Sequence, residues 1–236
     1  MNMKLAIMQP YFFPYIGYWQ LMNAVDKFVV YDNIQYTKNG WIRRNRILLG
    51  NSDKLISLPI KNDSDFLDIR DRFISENYYT KEKNKIKNLI KESYRKAPYY
   101  EVVNPLIDKI LDQNENNLFR FLYNSIIFLK KYLNINNEII ISSSIDMDHS
   151  LKNKDRVIEI CKKLNADHYI NPIGGTKLYN KEEFARHNIK LNFLKTDDIK
   201  YQQFGDEFIP NLSIIDVMMF NSREKIQELL EQYTLI

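Results

Sequence analysis

The amino-acid sequence predicts an α/β protein, a mainly parallel sheet of βαβ units with a helical insertion. Three observations predict it. Residues 5–8 and 27–31 are short apolar runs of buried-strand type, separated by a helical pattern. The same rhythm returns after residue 134, where strand-like and helix-like stretches alternate to residue 194. Between them, residues 80–133 carry three consecutive helical patterns. The expected division is an α/β catalytic core of residues 1–79 and 134–236, with 80–133 as the insertion.

Taken in order, the first run stops at Gln9-Pro10-Tyr11-Phe12-Phe13-Pro14, because proline cannot donate to a ladder. Ile16, Trp19, Gln20, Leu21, Asn23 and Ala24 then give helical spacing, and the second strand ends on Asp32. Ligands gather at the carboxyl ends of such strands, so Gln9 and Asp32 are expected at one edge. Residues 45–49 and 54–60 read as a hairpin around Gly50-Asn51-Ser52-Asp53, and residues 66–73 as a short strand or loop. A helix is expected from Thr80, its N-cap, to about Lys96, stopped by Ala97-Pro98, with two more over 101–113 and 117–133. Strands follow at 138–141, 167–170 and 190–194, with helices at 155–164 and 181–187. Asn211 or Ser213 caps a penultimate helix that carries Asp216 one turn inside, and a last helix runs from Arg223 to about Tyr233.

With 236 residues, 44% apolar and 27% charged, the chain buries a core without needing a disulfide or metal. Its one cysteine, Cys161, sits in a helical pattern with Val157, Ile158 and Leu164, which fits the cytoplasm. No secretory signal precedes the first strand and no apolar run spans a bilayer, so no membrane association is expected. The formal charge of +4 leaves 34 basic residues nearly balanced by 30 acidic ones, too small an excess for a nucleic-acid face. One basic cluster stands out, Lys38 and Arg43-Arg44-Asn45-Arg46 with Trp41 between the cations, a composition suited to a nucleotide's base and phosphates.

Four blocks, MQPYFFPYIGYWQL, VYDNIQYTKNGWIRRNRI, YINPIGGTKLY and FIPNLSIIDVMMFN, together resemble the WbqC-like family, in order and over nearly the whole chain. The resemblance implies a protein of O-antigen or lipopolysaccharide biosynthesis that transfers an amino acid, glycine in the usual suggestion, to the amino group of a sugar. Many members carry His-Gln-Pro where this chain has Met8-Gln9-Pro10. A more distant resemblance, to nucleotidylyltransferases, implies a Rossmann-type core. Their phosphate-gripping HxGH loop falls where this chain has Tyr15 and Tyr18, phenols that are weaker, neutral donors. Ser142-Ser143-Ser144 resembles that superfamily's serine-rich signature without its nearby arginine and reads as a strand-end turn.

The blocks supply the candidates for substrate contact. These are Gln9, Tyr11, Tyr15 and Tyr18 from the first; Gln35, Tyr36, Lys38, Trp41, Arg43, Arg44 and Asn45 from the second; Asn171, Gly174, Gly175, Thr176 and Tyr179 from the third; Asn211, Ser213 and Asp216 from the fourth. Arg43 and Arg44 are expected on the pyrophosphate, helped by the backbone amides of Gly174, Gly175 and Thr176. Transfer to an amine needs a base, and Asp32 is the first candidate, with His149 the second; His168 and His187 fall at a strand edge and a helix end. Cys161 reads as core rather than nucleophile. No metal-ligand spacing occurs, so neither a metal nor another cofactor is expected. The expected activity is N-aminoacyl transfer to a nucleotide-linked amino sugar, from an acyl-carrier-protein or coenzyme A thioester. The alternatives are an ATP-dependent ligase or nucleotidylyltransferase-like enzyme, and a non-catalytic nucleotide-sugar-binding protein.

Overall fold

A computed structural model describes residues 3–236. Six strands make the main sheet: β1 (Lys4–Met8), β2 (Lys27–Val30), β5 (Glu138–Ile141), β6 (His168–Pro172), β7 (Lys190–Thr196) and β8 (Tyr233–Leu235). Their order is β5-β2-β1-β6-β7-β8, parallel except for β8 against β7. β3 (Arg44–Leu49) and β4 (Ser52–Ser57) pair as a separate antiparallel hairpin. The expected parallel neighbours β1 and β2 are in register from Leu5 opposite Lys27 to Met8 opposite Val30.

Period-two alternation assigns each strand's side chains to two layers. Ala6, Phe28, Val30 and Ile170 face a core that also contains the apolar sides of α1 (Ile16–Asn23), α2 (Lys83–Tyr94), α3 (Tyr100–Leu111), α4 (Leu118–Tyr132), α7 (Ile214–Phe220) and α8 (Arg223–Leu230). Leu5, Ile7, Val29 and Tyr169 face the other core, closed by α5 (Asn153–Lys163) and α6 (Lys181–Ala185). Helix α1 is buried from Ile16 through Met22, including Gln20, whose amide donates to the Leu229 and Gln232 carbonyls at 2.8 and 2.9 Å. Both amide hydrogens are thereby bonded, one to α8 and one just beyond it, while Oε1 is buried without a partner.

Four details sharpen or depart from the sequence reading. The hairpin turn is only Gly50-Asn51, since Leu49 already pairs with Ser52, and Gly50 takes the positive φ (61°) that such a tight turn requires. Within residues 66–73, where a short strand or loop was expected, residues 69–71 form one 3-10 turn. Thr80 is not an N-cap; it lies inside a π turn (Tyr78–Glu82) that leads directly into α2, its hydroxyl reaching the Asn77 carbonyl at 3.4 Å. The last helix ends at Leu230, and the residues after it turn into β8, where Lys195 pairs with Thr234. Asn117 caps α4, accepting from the Arg120 N–H at 3.0 Å, and of the two expected caps of α7 it is Ser213 that serves, accepting from the Ile215 N–H at 3.2 Å.

Candidate active site

The chain leaves β1 toward β2 on one side, while β6 lies on the other, so the loops after β1 and β6 diverge and open a crevice at the strands' carboxyl ends. A cavity of about 440 Å³ occupies it, lined by Met8, Tyr11, Pro14, Tyr15, Gly17, Tyr18, Trp41, Asn45, Arg46, Pro172, Ile173, Gly174 and Asn211. The loop from Tyr11 to Tyr15 forms its wall and is held in an unfavourable shape: Phe13, a bulky residue, has φ 45°. Such a conformation costs on the order of 1–3 kcal/mol and persists only where the surroundings enforce it. Here Asn45 Nδ2 donates to the Phe12 and Phe13 carbonyls (3.1 and 2.8 Å) and Ser213 Oγ to the Phe13 carbonyl (2.8 Å). The Trp19 indole N–H and the Ile214 N–H both donate to the Pro14 carbonyl (3.1 and 3.0 Å). Asn45 and Ser213 thus build the wall by holding its backbone.

Three phenols converge on this cavity. Burial pushes Tyr11 up to about 12, raises Tyr15, and raises Tyr18 well above the usual phenol range, so all three are neutral donors at physiological pH. The Tyr18 hydroxyl is buried without a hydrogen-bond partner. Gly17 lets the Tyr15 ring lie across the first turn of α1, because a Cβ there would come within 2.5 Å of the ring. Gly17→Ala is therefore expected to swing Tyr15 out of the wall and weaken ligand binding by roughly tenfold, the worth of one aromatic contact, with little change in melting temperature. Titration calorimetry beside a thermal melt checks both halves.

The remaining candidates separate by place. Arg46, rather than Arg43 or Arg44, reaches the cavity, its Nε buried and unpaired and its nearest carboxylate, Asp53, at 3.6 Å. Arg43 donates to the Leu58 carbonyl at 3.2 Å, and Arg44 to the Gly40 carbonyl at 3.1 Å and the Asn39 carbonyl, so both guanidinium groups brace the hairpin and its entry. Gln35 and Lys38 bind Asp65, and Tyr36 is buried with the Arg72 guanidinium 4.8 Å from its ring centre. Gly174 and Asn211 line the cavity. Asn171 accepts from the Tyr169 hydroxyl (3.0 Å), Gly175 packs on Asn171, Thr176 turns back to the Ile173 carbonyl (3.1 Å) and Tyr179 packs edge-on against Tyr169. Gln9 is half-buried just beyond β1, outside the cavity wall. Cys161 is buried in α5, its thiol pushed up to about 12 by burial, which suits a core residue. His168 is buried in β6 against Asn192 Oδ1 (3.0 Å), its imidazole held below the usual range by burial, and His187 is exposed beyond α6.

Asp216, in the first turn of α7, sits at the centre of a buried network and lines neither the crevice cavity nor its loop. Its carboxylate accepts from the hydroxyls of Tyr94 (2.9 Å) and Tyr201 (2.6 Å) and from the Gln203 amide (2.6 Å), and burial raises its carboxyl above the usual range despite those donors. A raised carboxylate costs stability while ionised, and that cost vanishes as pH falls through its folded value. Removing it is worse, because three donors are left without an acceptor. Asp216→Ala is expected to cost about 3 kcal/mol or more, a fall of roughly 6–12 °C in melting temperature.

Asp32, just past β2, is buried and organises a second cluster, apart from the crevice cavity. Its Oδ1 accepts from the Ser142 hydroxyl (2.7 Å) and the Ser143 N–H (2.9 Å), and its own N–H donates to Ser142 Oγ (3.1 Å). Ser142 Oγ also lies 2.6 Å from Asn33 Oδ1, and Asn33 Nδ2 lies 3.1 Å from His149 Nδ1. A hydroxyl has one hydrogen, so Ser142 cannot donate to both oxygens at once. Exchanging the two ends of the Asn33 amide, which have the same shape, satisfies the whole set. Nδ2 then donates to Ser142 Oγ, and Oδ1 accepts from His149 Nδ1–H. His149, exposed, keeps Nε2 as a bare acceptor. The two candidate bases are thus the buried and open ends of one relay, Asp32–Ser142–Asn33–His149. Arg156 of α5 steadies it, donating to the Asn33 carbonyl at 3.1 Å with its guanidinium 4.8 Å from the centre of the Tyr31 ring.

Sequence reasoning missed Asn33, Ser142, Arg46 and Arg156 as members of these sites. The serine run and the basic cluster were visible, but their pairing across the fold was not. No helix among the described residues is long and apolar enough to cross a membrane. Among known proteins, the chain is 27% identical over 224 residues to the uncharacterized protein Rv1507c of Mycobacterium tuberculosis, covering 92% of this chain and 93% of that one. No solved structure matches it. The model of the WbqC-like protein family matches residues 9–228, the span that holds the crevice, the clamped loop and the relay, and the chain belongs to that family.

Proposed function

We propose that this protein is an N-aminoacyltransferase that acts on the amino group of a nucleotide-linked amino sugar, in the cytoplasm, during surface polysaccharide (O-antigen) synthesis. The observation that carries the reading is the relay from Asp32 to His149, whose open end is an exposed imidazole with Nε2 free of any protein partner among the described residues. In this reading the parallel strands form a nucleotide-binding core of nucleotidylyltransferase type, and residues 80–133 are a helical insertion upon it. Trp41 and the three tyrosines take the base and ribose, and Arg46 takes a phosphate.

The reaction then follows from elementary needs. His149 Nε2 accepts a proton from the sugar ammonium, and the freed amine attacks the carbonyl carbon of an aminoacyl thioester. His149 passes that proton to solvent, and as the C–N bond forms Nε2 takes the second proton from the attacking nitrogen; the tetrahedral intermediate then collapses, the C–S bond breaks, and the imidazolium gives this proton to the departing thiolate. Asp32 stabilises the imidazolium through Ser142 and Asn33 and holds its tautomer, the part a buried aspartate plays behind other catalytic histidines.

The test is incubation with a nucleotide amino sugar and an aminoacyl thioester, of coenzyme A or a carrier protein, read by mass spectrometry. N-acylated product formed without ATP supports the reading. Product that requires ATP, with release of pyrophosphate, supports a ligase instead, and saturable nucleotide-sugar binding without turnover supports a binding protein.

A further inference from the structure

We propose that a second cavity, separate from the crevice, binds a free α-amino acid as its zwitterion, the ammonium on Asp32 and the carboxylate on Arg120. The cavity measures about 410 Å³ and lies between the carboxyl ends of β2 and β5 and the first turn of α4; it shares no lining residue with the crevice cavity. The proposal goes beyond the transferase reading, whose acyl donor is a thioester: the bound amino acid keeps its free carboxylate and is a ligand distinct from that donor.

Asp32 carries the argument. It is 2% exposed, and both donors that reach it bind Oδ1. Oδ2 has no partner, and no lysine or arginine among the described residues forms an ion pair with Asp32, although its side chain lines the cavity. A carboxylate this buried is stable as an ion only when a cation or several donors compensate it, and a ligand's ammonium supplies both. Arg120 is its counterpart. It is exposed in the first turn of α4, pairs with no carboxylate among the described residues, and stands where the helix dipole favours an anion.

Of the other charges of the wall, Arg70 and Asp71 are in ion pairs and Glu115 is hydrogen-bonded only. Arg70 lies 3.9 and 3.8 Å from Asp68 and Asp71, and Glu115 Oε1 accepts the Asn117 N–H at 2.9 Å. Two carboxylates of the wall, Asp32 and Glu115, have no ion pair among the described residues; Asp32 is the buried one, Arg120 is the cation without a carboxylate, and Phe119, Tyr123 and Ile141 are there to meet a side chain. A nucleotide fits poorly here, because its phosphates would face Asp32, Asp71 and Glu115.

The experiment is titration calorimetry of the full chain with glycine, alanine and leucine, with N-acetylglycine and glucosamine as comparison ligands. The expected result is saturable binding of at least one amino acid and none of N-acetylglycine, which lacks the ammonium. Arg120→Gln, an exposed change, should weaken the amino acid at least tenfold, and Asp32→Asn should abolish its binding with the melt still cooperative. Binding of no amino acid, binding unchanged in Arg120→Gln, or binding of glucosamine alone overturns the proposal. Because binding is read without turnover, an inactive transferase that still binds an amino acid leaves this inference standing, and a transferase active with thioesters that binds no amino acid removes it alone.

Discussion

Substituting Asp32→Asn is expected to lower turnover by about 10²–10⁴-fold, with the affinity for the nucleotide sugar nearly unchanged. The asparagine keeps the shape and can still accept from Ser142 and Ser143, but it removes the buried negative charge that an imidazolium at His149 would face through the relay. Nucleotide-sugar affinity is spared because Asp32 lines a different cavity from the crevice. His149→Gln should cause a loss of similar size, and the double variant should be little worse than either single one, since members of one catalytic unit fail together. Raising the pH should partly restore both variants, because more of the sugar amine is then neutral and needs no base. An Asp32→Asn enzyme with near-normal turnover at neutral pH and a normal melt would remove the relay from the mechanism. If turnover falls only in step with the folded fraction, the aspartate is structural.

What the sequence disclosed, and what it withheld, follows from the range of the forces involved. Strands β1 and β2 and the end of β1 at Gln9-Pro10 were legible because apolar runs and proline act locally. The cap of α7, expected at Asn211 or Ser213 and found at Ser213, was legible for the same reason. Strand β8 was not, since three residues on a sheet edge are held by pairing with Thr196, Lys195 and Leu194, far away in sequence, while the helix before them masks the change of period. The π turn before α2 likewise reflects packing of the buried Tyr78, whose hydroxyl donates to the Leu111 carbonyl at 2.7 Å. In the site, Asp32 and His149 were picked out singly by residue type. The groups that join them were hidden, because Asp32 meets Ser142 across 110 residues and Asn33 meets His149 across 116. The arginine choice turned on something finer still, the direction in which a hairpin side chain points and which carbonyls intercept it.

That choice yields the second large effect. Arg46→Ala is expected to weaken nucleotide-sugar binding by roughly 10–100-fold, the loss of one charge-assisted contact worth about 1.5–3 kcal/mol. Arg44 shares a strand face with Arg46, two residues along β3, yet its guanidinium is already spent on the Gly40 and Asn39 carbonyls, and Arg43 is spent on Leu58. Arg46 is bound loosely by comparison, 3.4 Å from the Asn211 carbonyl and 3.6 Å from Asp53, and its buried Nε has no acceptor until a ligand brings one. Arg44→Ala should therefore loosen residues 37–40 and lower the melting temperature slightly, with affinity within about twofold of the parent. Arg46→Lys should recover part of the lost affinity, since the charge remains but the two-pronged geometry does not. Raising the ionic strength should shrink the gap between parent and Arg46→Ala, as expected if the missing contact is to a phosphate. Calorimetric titrations of the three variants at two salt concentrations decide the matter: equal losses for Arg44→Ala and Arg46→Ala, or none for Arg46→Ala, would move the phosphates away from this wall of the crevice.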